Sequence, residues 1–164
     1  MITFEDWLSV DLKGKATGMA SVVRRAVKAL RTARVSAAVI GAIALGLRAR
    51  ERATKDIDFV ADPRAWKRAI EAMRAAGFRD NPDWEPDEYL ARFIDPKTRL
   101  GVDLLFGVGD PEQGARETAR PAKLFGVTVK VARLDYLLWL YLLSDQPRHH
   151  DDALSVLRTR KVDL

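Results

Sequence analysis

The sequence predicts an α/β (α+β) fold, in which a mixed β-sheet is flanked by helices and followed by C-terminal helices. Two short, mostly apolar runs, at residues 35–40 and 100–106, are typical of buried strands. Residues 19–32 repeat apolar side chains at helical spacing, with arginine and lysine on the other faces. Strand and helix signals therefore alternate along the chain, as they do in sheets that are covered by helices.

The first half of the chain begins with a short opening segment and the helix at residues 19–32. The apolar run at residues 35–40 follows as the first strand. Gly41 and Ala42 then let the backbone turn sharply into a helical stretch at residues 43–47, because glycine accepts conformations that other residues avoid. This turn joins a buried strand directly to a helix start.

A strand-helix crossover comes next. Its strand ends near Val60, and Asp62 is placed to cap a helix that Pro63 opens, since aspartate accepts from free N–H groups and proline fits the first turn. The helix covers residues 65–76 and stops at Gly77.

The second half contains a predicted hairpin and two closing helices. The predicted elements are a loop at 81–87, strands at 89–94 and 100–106 joined by a turn at 95–98, a flexible or helical connection at 108–120, an extended segment at 124–131, and helices at 134–144 and 148–158. The predicted order is α-β-α-β-α-β-β-β-α-α. We expect the aromatic side chains of the first closing helix, including Trp139, to belong to the core.

Composition limits the class of protein. We expect residues 1–164 to form a single domain, with a core of about residues 19–131 and a C-terminal helical part of about residues 133–160. Without cysteines, disulfides and thiolate metal sites are excluded, so we expect a cytoplasmic protein. No run of apolar residues is long enough for a membrane span. The first residues lack the basic region followed by an apolar stretch that is typical of a secretory signal, so we do not expect one.

The charge balance is basic. A net charge of +5 and a pI of about 9.7 favour a polyanionic partner, with nucleic acid preferred to a membrane. Frequent arginine and alanine can also reflect a GC-rich genome, so the charge alone does not decide between the two explanations.

Three aspartates indicate a metal site next to a phosphate site. Asp56 and Asp58 project from one face of a strand, and they repel each other unless a cation lies between them. Asp103, in a second apolar strand, can supply a third carboxylate to a magnesium ion. The helix start at Gly41-Ala42 offers free N–H groups to phosphate. Taken one by one, the same residues can simply form a turn and end a strand.

The ordered set of these elements resembles a known family. An apolar strand is followed by Gly41-Ala42, then by the segment Arg52-x-Thr54-x-Asp56-x-Asp58, and later by a Val-Asp-Leu-Leu strand. The chain is similar to DNA polymerase β-type nucleotidyltransferases, most of all to the AbiEii-type nucleotidyltransferases of toxin–antitoxin loci. The resemblance covers roughly residues 35–157.

The resemblance implies a minimal nucleotidyltransferase fold and roles for individual residues. Catalysis and metal binding fall to Asp56, Asp58 and Asp103. Nucleotide binding falls to Gly41, Ala42, Arg52 and Thr54, although Thr54 can equally cap the local turn. The implied cofactor is Mg²⁺ or Mn²⁺, and the substrate is an NTP.

The same resemblance implies a reaction. A nucleoside monophosphate moves from the NTP to an acceptor hydroxyl, which we expect to belong to RNA, such as tRNA, in a toxin–antitoxin setting. One alternative is an AMP-transferring antitoxin that acts on a partner toxin. Another is a catalytically silent nucleotide-binding module, because Tyr141 stands where relatives often carry a lysine.

Overall fold

A seven-stranded mixed sheet organises the molecule, a computed structural model that describes residues 3–9 and 17–159. The strands are β1 (Ala37–Ile40), β2 (Asp56–Ala61), β3 (Arg79–Asp80), β4 (Leu90–Ile94), β5 (Gly101–Leu105), β6 (Arg120–Leu124) and β7 (Val127–Val131). The helices are α1 (Phe4–Ser9), α2 (Met19–Thr32), α3 (Gly41–Arg48), α4 (Trp66–Ala75), α5 (Asp110–Glu117), α6 (Leu134–Leu143) and α7 (Pro147–Thr159). The predicted α/β class, with a mixed sheet and C-terminal helices, is confirmed.

The sheet has the strand order β3-β4-β5-β2-β1-β7-β6. At its centre, β2 runs parallel to β5 and antiparallel to β1. Its register sets Asp58 opposite Asp103 on one side and opposite Ile40 on the other. The end of β1, where the chain turns into α3, therefore lies beside the two aspartate-bearing strands.

The C-terminal helices are attached to the helix that follows β1. A small apolar cluster joins α3, α6 and α7, and it consists of Leu45, Leu138, Tyr141, Ala153 and Val156. A fully buried leucine contributes about 1.5–3 kcal/mol, so this cluster keeps α6 and α7 packed against α3.

Several predicted elements are confirmed closely. The helix α2 has the predicted bounds and buries its apolar stripe, including Val23 and Val27. Asp62 caps the next helical segment, since its Oδ1 accepts the N–H of Arg64 at 3.0 Å. That segment begins as a single 3-10 turn, Pro63–Ala65, before continuing as α4.

Other elements differ from the prediction. The extended segment expected at 124–131 is a hairpin of β6 and β7, which turns at Phe125 and Gly126 with φ values of +48° and +79°. Two positive φ values are what a tight hairpin turn needs, but phenylalanine is an unusual residue to supply one of them. The helix α1 and the two-residue strand β3 were not predicted, and the connection at 108–120 contains α5.

Trp139 is not a core residue, contrary to the prediction. It is 44% exposed, because α6 is apolar on all sides and only one side faces the rest of the molecule. In the part of the chain that the structure describes, every helix falls short of the length and apolarity needed to cross a lipid bilayer.

Candidate active site

A cleft of about 490 Å³ opens where β1, β2 and β5 meet α6 and the start of α7. Six of the seven residues predicted for the site line it, namely Gly41, Ala42, Arg52, Asp56, Asp58 and Asp103. Thr54 lies outside the cleft lining and contacts Asp56 instead. The fold therefore brings together two strands and a turn that are far apart in sequence.

The three aspartates share one face of the sheet. Asp58 and Asp103 are register partners on neighbouring parallel strands, and Asp56 lies two residues before Asp58 on the same face. Burial, together with the charges of Asp56 and Asp103, raises the pKa of Asp58 to about 8. Burial also raises the pKa of Asp103 to about 6, although Arg92 opposes this shift. Burial and the neighbouring carboxylates thus oppose full ionisation of this cluster.

Each outer carboxylate has a partner of its own. The hydroxyl of Thr54 donates to Asp56 Oδ1, and the N–H of Asp56 donates back to Thr54 Oγ1 at 3.3 Å. Arg92 Nε lies 3.4 Å from Asp103 Oδ2. Among residues 3–9 and 17–159, no three acidic or imidazole side chains are gathered into a metal-binding geometry.

The donor set nevertheless suits a hard divalent cation. All three side chains offer carboxylate oxygens, which are the ligands that Mg²⁺ and Mn²⁺ prefer. Burial first, and the charges of neighbouring aspartates second, raise the pKa values of Asp58 and Asp103, and a bound cation would oppose both effects.

Glycine is required at position 41. Gly41 has a φ of +67°, and a Cβ placed there would lie 2.0 Å from Asp58 Oδ2. The carboxylate of Asp58 is therefore packed against the backbone of the turn. The residue before the turn, Ile40, gives α3 no side-chain cap. The first N–H groups of the helix can therefore donate hydrogen bonds to an acceptor from outside the described chain.

Arg52 is held at the cleft by an aspartate from the last helix. Asp152 is only 6% exposed, and its Oδ2 accepts a hydrogen bond from Arg52 Nη1. Its other oxygen lies 3.7 Å from Arg50 Nη1. The sequence places Asp151 and Asp152 next to each other near the start of α7, and the structure shows that Asp152 is the one that faces inward.

Among the cleft residues that were not predicted for the site, Tyr141 and Arg148 stand out. Tyr141 is 4% exposed, and its ring stacks on His149 with the centroids 4.5 Å apart. Arg148 lines the cleft, and its charge, like that of Arg52, lowers the pKa of Asp58 against the larger effects of burial and the neighbouring aspartates. Tyr141 was missed because α6 is apolar on all sides. Arg148 was missed because no regular pattern marks the start of α7.

One part of the wall is apolar. The leucines that line it are Leu90, Leu105, Leu137, Leu140 and Leu143. At its edge, Arg92 lies over the ring of Trp84, 5.0 Å from the centroid. A cleft with an acidic floor, a basic rim and an apolar wall can accept the metal ions, the phosphates and the base or acceptor of a nucleotide reaction.

Comparison with known proteins identifies the fold. No family profile matches the chain, and neither does any curated protein. The antibiotic-resistance factor ANT(2'')-Ia is 16% identical, with a TM-score of 0.66 over 87% of this chain and 84% of that one. Lincomycin-bound LnuA, a lincosamide antibiotic adenylyltransferase, is 12% identical, with a TM-score of 0.58 over 93% and 99%. A Thermotoga maritima protein that has been assigned as a nucleotidyltransferase is 17% identical, with a TM-score of 0.56 over 87% of this chain and 94% of that one. The chain therefore has the fold of the nucleotidyltransferases.

Proposed function

We propose that this protein is a metal-dependent nucleotidyltransferase that moves a nucleoside monophosphate from an NTP to an acceptor hydroxyl. The observation that carries the proposal is the set of three aspartates on two parallel strands, facing one cleft beside the turn at Gly41. The nucleotidyltransferase fold supports it, since proteins of that fold include adenylyltransferases.

The metal belongs to the carboxylate cluster. Asp56, Asp58 and Asp103 would hold Mg²⁺ or Mn²⁺. When bound, the metal supplies positive charge to the phosphates and to the acceptor oxygen.

The chain's own residues position the reactants. Thr54 holds Asp56 by its hydroxyl, and Asp152 holds Arg52 towards the cleft. The turn at Gly41 places the N–H groups of α3 where they can bind phosphate oxygens. These contacts exist before substrate arrives, so little ordering is left to be done on binding.

The proposed reaction is a displacement at the α-phosphorus. The acceptor oxygen forms a bond to this phosphorus, the bond from it to the oxygen that bridges to the β-phosphate breaks, and pyrophosphate leaves. The acceptor proton passes to a carboxylate oxygen of Asp103. Asp103 lies directly beside Asp58 in the strand register, so its carboxylate is at the site of the proposed displacement.

We propose RNA as the first candidate acceptor, and tRNA is the RNA to test first. The proposed genetic setting of the protein is a toxin–antitoxin locus of the AbiEii type. The support is the net charge of +5 and the arginines at the cleft rim. Phosphate contacts from such residues make binding strong at low salt and weak at high salt.

A small hydroxylated compound is a second candidate acceptor. The cleft volume of about 490 Å³ falls within the roughly 300–1,000 Å³ of small-molecule sites, and one wall is apolar. LnuA, a lincosamide antibiotic adenylyltransferase, aligns with this chain over 99% of its own length. This chain is therefore long enough to span the whole of LnuA.

An acceptor screen tests these proposals. Purified protein, Mg²⁺ and each α-labelled NTP are offered total tRNA, the product of the adjacent gene, and a set of aminoglycosides and lincosamides. We expect label on tRNA, declining steeply with salt, and none with the Asp56→Asn variant. Label on an antibiotic supports the second candidate instead, and label on the partner protein supports an AMP-transferring antitoxin. NTP binding without any transfer indicates a silent nucleotide-binding module.

A further inference from the structure

Positive charge is concentrated along one edge of the sheet. The hairpin of β6 and β7 forms this edge, and neither the hairpin nor α2 contains an acidic residue. Arg25 of α2 pairs with Asp95. The other cationic side chains of α2 and the hairpin are exposed, and among residues 3–9 and 17–159 none has a carboxylate within ion-pair distance. These six side chains, which we call the basic edge, are Arg24, Lys28, Arg31, Arg120, Lys123 and Lys130.

The helix and the hairpin form one continuous surface. Arg24 Nη1 donates to the carbonyl of Phe125 at 3.3 Å, and Arg31 Nη2 donates to the carbonyl of Thr128. Lys28 lies between the two arginines on the same side of α2, because residues three or four apart are neighbours on a helix. The hairpin turn is also bound by α1, since Glu5 Oε1 accepts the N–H of Phe125 at 2.7 Å. The charges are therefore held in place by backbone contacts.

Two lysines of the basic edge share the sheet face of the candidate active site. The register of β7 on β1, and of β1 on β2, puts Lys130 on the face that carries Asp58, because side chains alternate between the faces of a sheet. The register of β6 on β7 puts Lys123 on the same face. Three strand spacings separate β6 from β2, a distance of about 14 Å. A ligand on the basic edge can therefore extend to the three aspartates.

The opposite edge of the sheet carries negative charge. The loop between β3 and β4 lies there, and four of its acidic side chains are exposed, namely Asp83, Glu85, Asp87 and Glu88. A polyanion is attracted to one edge and repelled from the other. The charge distribution therefore orients a polyanion on this protein, which a net charge alone cannot do.

The chemistry of the basic edge suits a nucleic-acid backbone better than a protein. In the part of the chain that the structure describes, the exposed large apolar side chains all lie outside α2 and the hairpin, at Trp84, Tyr89, Val108, Trp139, Leu142, Leu143 and Leu154. Protein–protein interfaces have an apolar, often aromatic centre, whereas nucleic-acid interfaces are polar and strongly positive. Single-strand binding also uses aromatic side chains on which bases stack. A surface with cations and no exposed aromatic side chain matches the phosphates of a duplex.

We propose that the basic edge binds the phosphate backbone of double-stranded RNA and holds the stem of an RNA acceptor while an unpaired end enters the cleft. This inference rests on the proposed function and deepens it. Duplex RNA is recognised mainly by its shape, its phosphates and its 2′-hydroxyls, so this surface reads no base sequence. Lys123 and Lys130 contact the stem on the cleft side, and α2 contacts it around the edge.

Binding of a fluorescent RNA hairpin with a short unpaired 3′ end tests the proposal without requiring turnover. The edge variant combines Lys28→Gln, Lys123→Gln and Lys130→Gln. It should bind this RNA at least about tenfold more weakly near physiological salt, and the slope of log Kd against log salt should fall by about 2–3, because three phosphate contacts are lost. The matching single strand should bind more weakly than the hairpin, and tighter binding of the single strand would overturn the duplex assignment.

A second variant of equal net charge is the matched control. It combines Lys67→Gln, Arg79→Gln and Lys97→Gln, all exposed and outside the basic edge. Its Kd should stay within about twofold of the unaltered protein, because distant charges are screened by salt. Equal weakening by both variants would show that only net charge matters and would overturn the proposal. Poly-glutamate bound as tightly as RNA, and weakened equally by the edge variant, would assign the surface to an acidic protein instead.

Thermal unfolding checks that the edge variant is folded. The three lysines are exposed, so its Tm should equal that of the unaltered protein. If the edge variant has a lower Tm, the single substitution Lys130→Gln replaces it and should still lower the salt slope by about 1. An unchanged slope in that single variant would overturn the role of Lys130 on the cleft side.

The outcomes also distinguish this inference from the proposed function. If RNA binding depends on the basic edge but no NMP is transferred to RNA, the inference stands and RNA is not the acceptor. If the unaltered protein and the edge variant bind RNA equally and transfer NMP to it at equal rates, the inference is wrong and the function stands. If RNA does not bind the unaltered protein, the inference is wrong, and transfer to a small hydroxylated compound decides the function separately.

Discussion

Replacing Asp58 with asparagine should stabilise the metal-free protein. Asparagine has nearly the same shape as aspartate but cannot be ionised. The carboxyl of Asp58 is crowded by protein, lies against Gly41 and faces the charges of Asp56 and Asp103. Its folded-state pKa of about 8, against 3.8 for the free group, means that the folded protein holds a proton that the unfolded chain releases.

The sign and size of the effect follow from this shift. Stability contributed by the protonated group is present below pH 3.8 and is lost as the pH rises towards about 8. At pH 7 the ionisation penalty has an upper bound of about 4 kcal/mol, because the pH lies about three units above the unfolded pKa. The cleft is open to water and two arginines face the carboxyl, so we expect Asp58→Asn to stabilise by about 1–3 kcal/mol.

Thermal unfolding in a chelating buffer measures this gain. A gain of that size corresponds to about 3–10 °C in Tm at pH 7, and it should become small near pH 4, where the pH is close to the unfolded pKa of 3.8 and the folded aspartate is protonated. Asp83→Asn, on an exposed loop, is the matched control and should shift Tm little at either pH. Added Mg²⁺ should stabilise the unaltered protein more than the Asp58→Asn variant. A variant that is less stable at pH 7, or equally shifted at pH 4 and 7, would refute the repulsion.

Three further substitutions have definite expected outcomes. Gly41→Ala should lower stability by about 1–3 kcal/mol and abolish NTP binding, since the new Cβ meets Asp58 and the backbone is strained; unchanged unfolding would contradict this. Thr54→Val should reduce transfer at least about tenfold by releasing Asp56, while Thr54→Ser should retain it; equal rates would show that the hydroxyl is dispensable. Asp95→Asn should cost about 1–3 kcal/mol at pH 7, and less below pH 3.8. Burial raises the pKa of Asp95, but its hydrogen bonds lower this pKa overall. The stability that the Asp95 carboxylate contributes is therefore lost as the pH falls. Denaturant unfolding at both pH values measures this loss of stability.

The elements with strong local signals were predictable from the sequence. The bounds of α2 follow from its apolar stripe, and the cap at Asp62 follows from the residue before a helix-opening proline. The strands β1 and β5 follow from apolar runs, and the parallel pairing of β5 with β2 brings Asp103 beside Asp58. Here a short pattern and the tertiary arrangement agree, which is why the aspartates could be named in advance.

The other side of the cleft depends on tertiary contacts. Tyr141 lies in a helix that is apolar on all sides, so no periodicity marks which residue faces the cleft. Asp152 is buried because Arg52, 100 residues earlier, is its partner. The hairpin at Phe125 escaped prediction because its positive φ is stabilised by long-range packing and by a hydrogen bond from its N–H to Glu5 Oε1 at 2.7 Å.

The position of the label on the NTP tests the central claim most directly. With Mg²⁺ and an acceptor that the protein uses, α-labelled NTP should leave its label on the acceptor. The label of γ-labelled NTP should be released in pyrophosphate. Asp103→Asn should abolish both outcomes while leaving the protein folded. Transfer of the γ-label to the acceptor, or release of free phosphate in place of pyrophosphate, would contradict nucleotidyl transfer at these three aspartates.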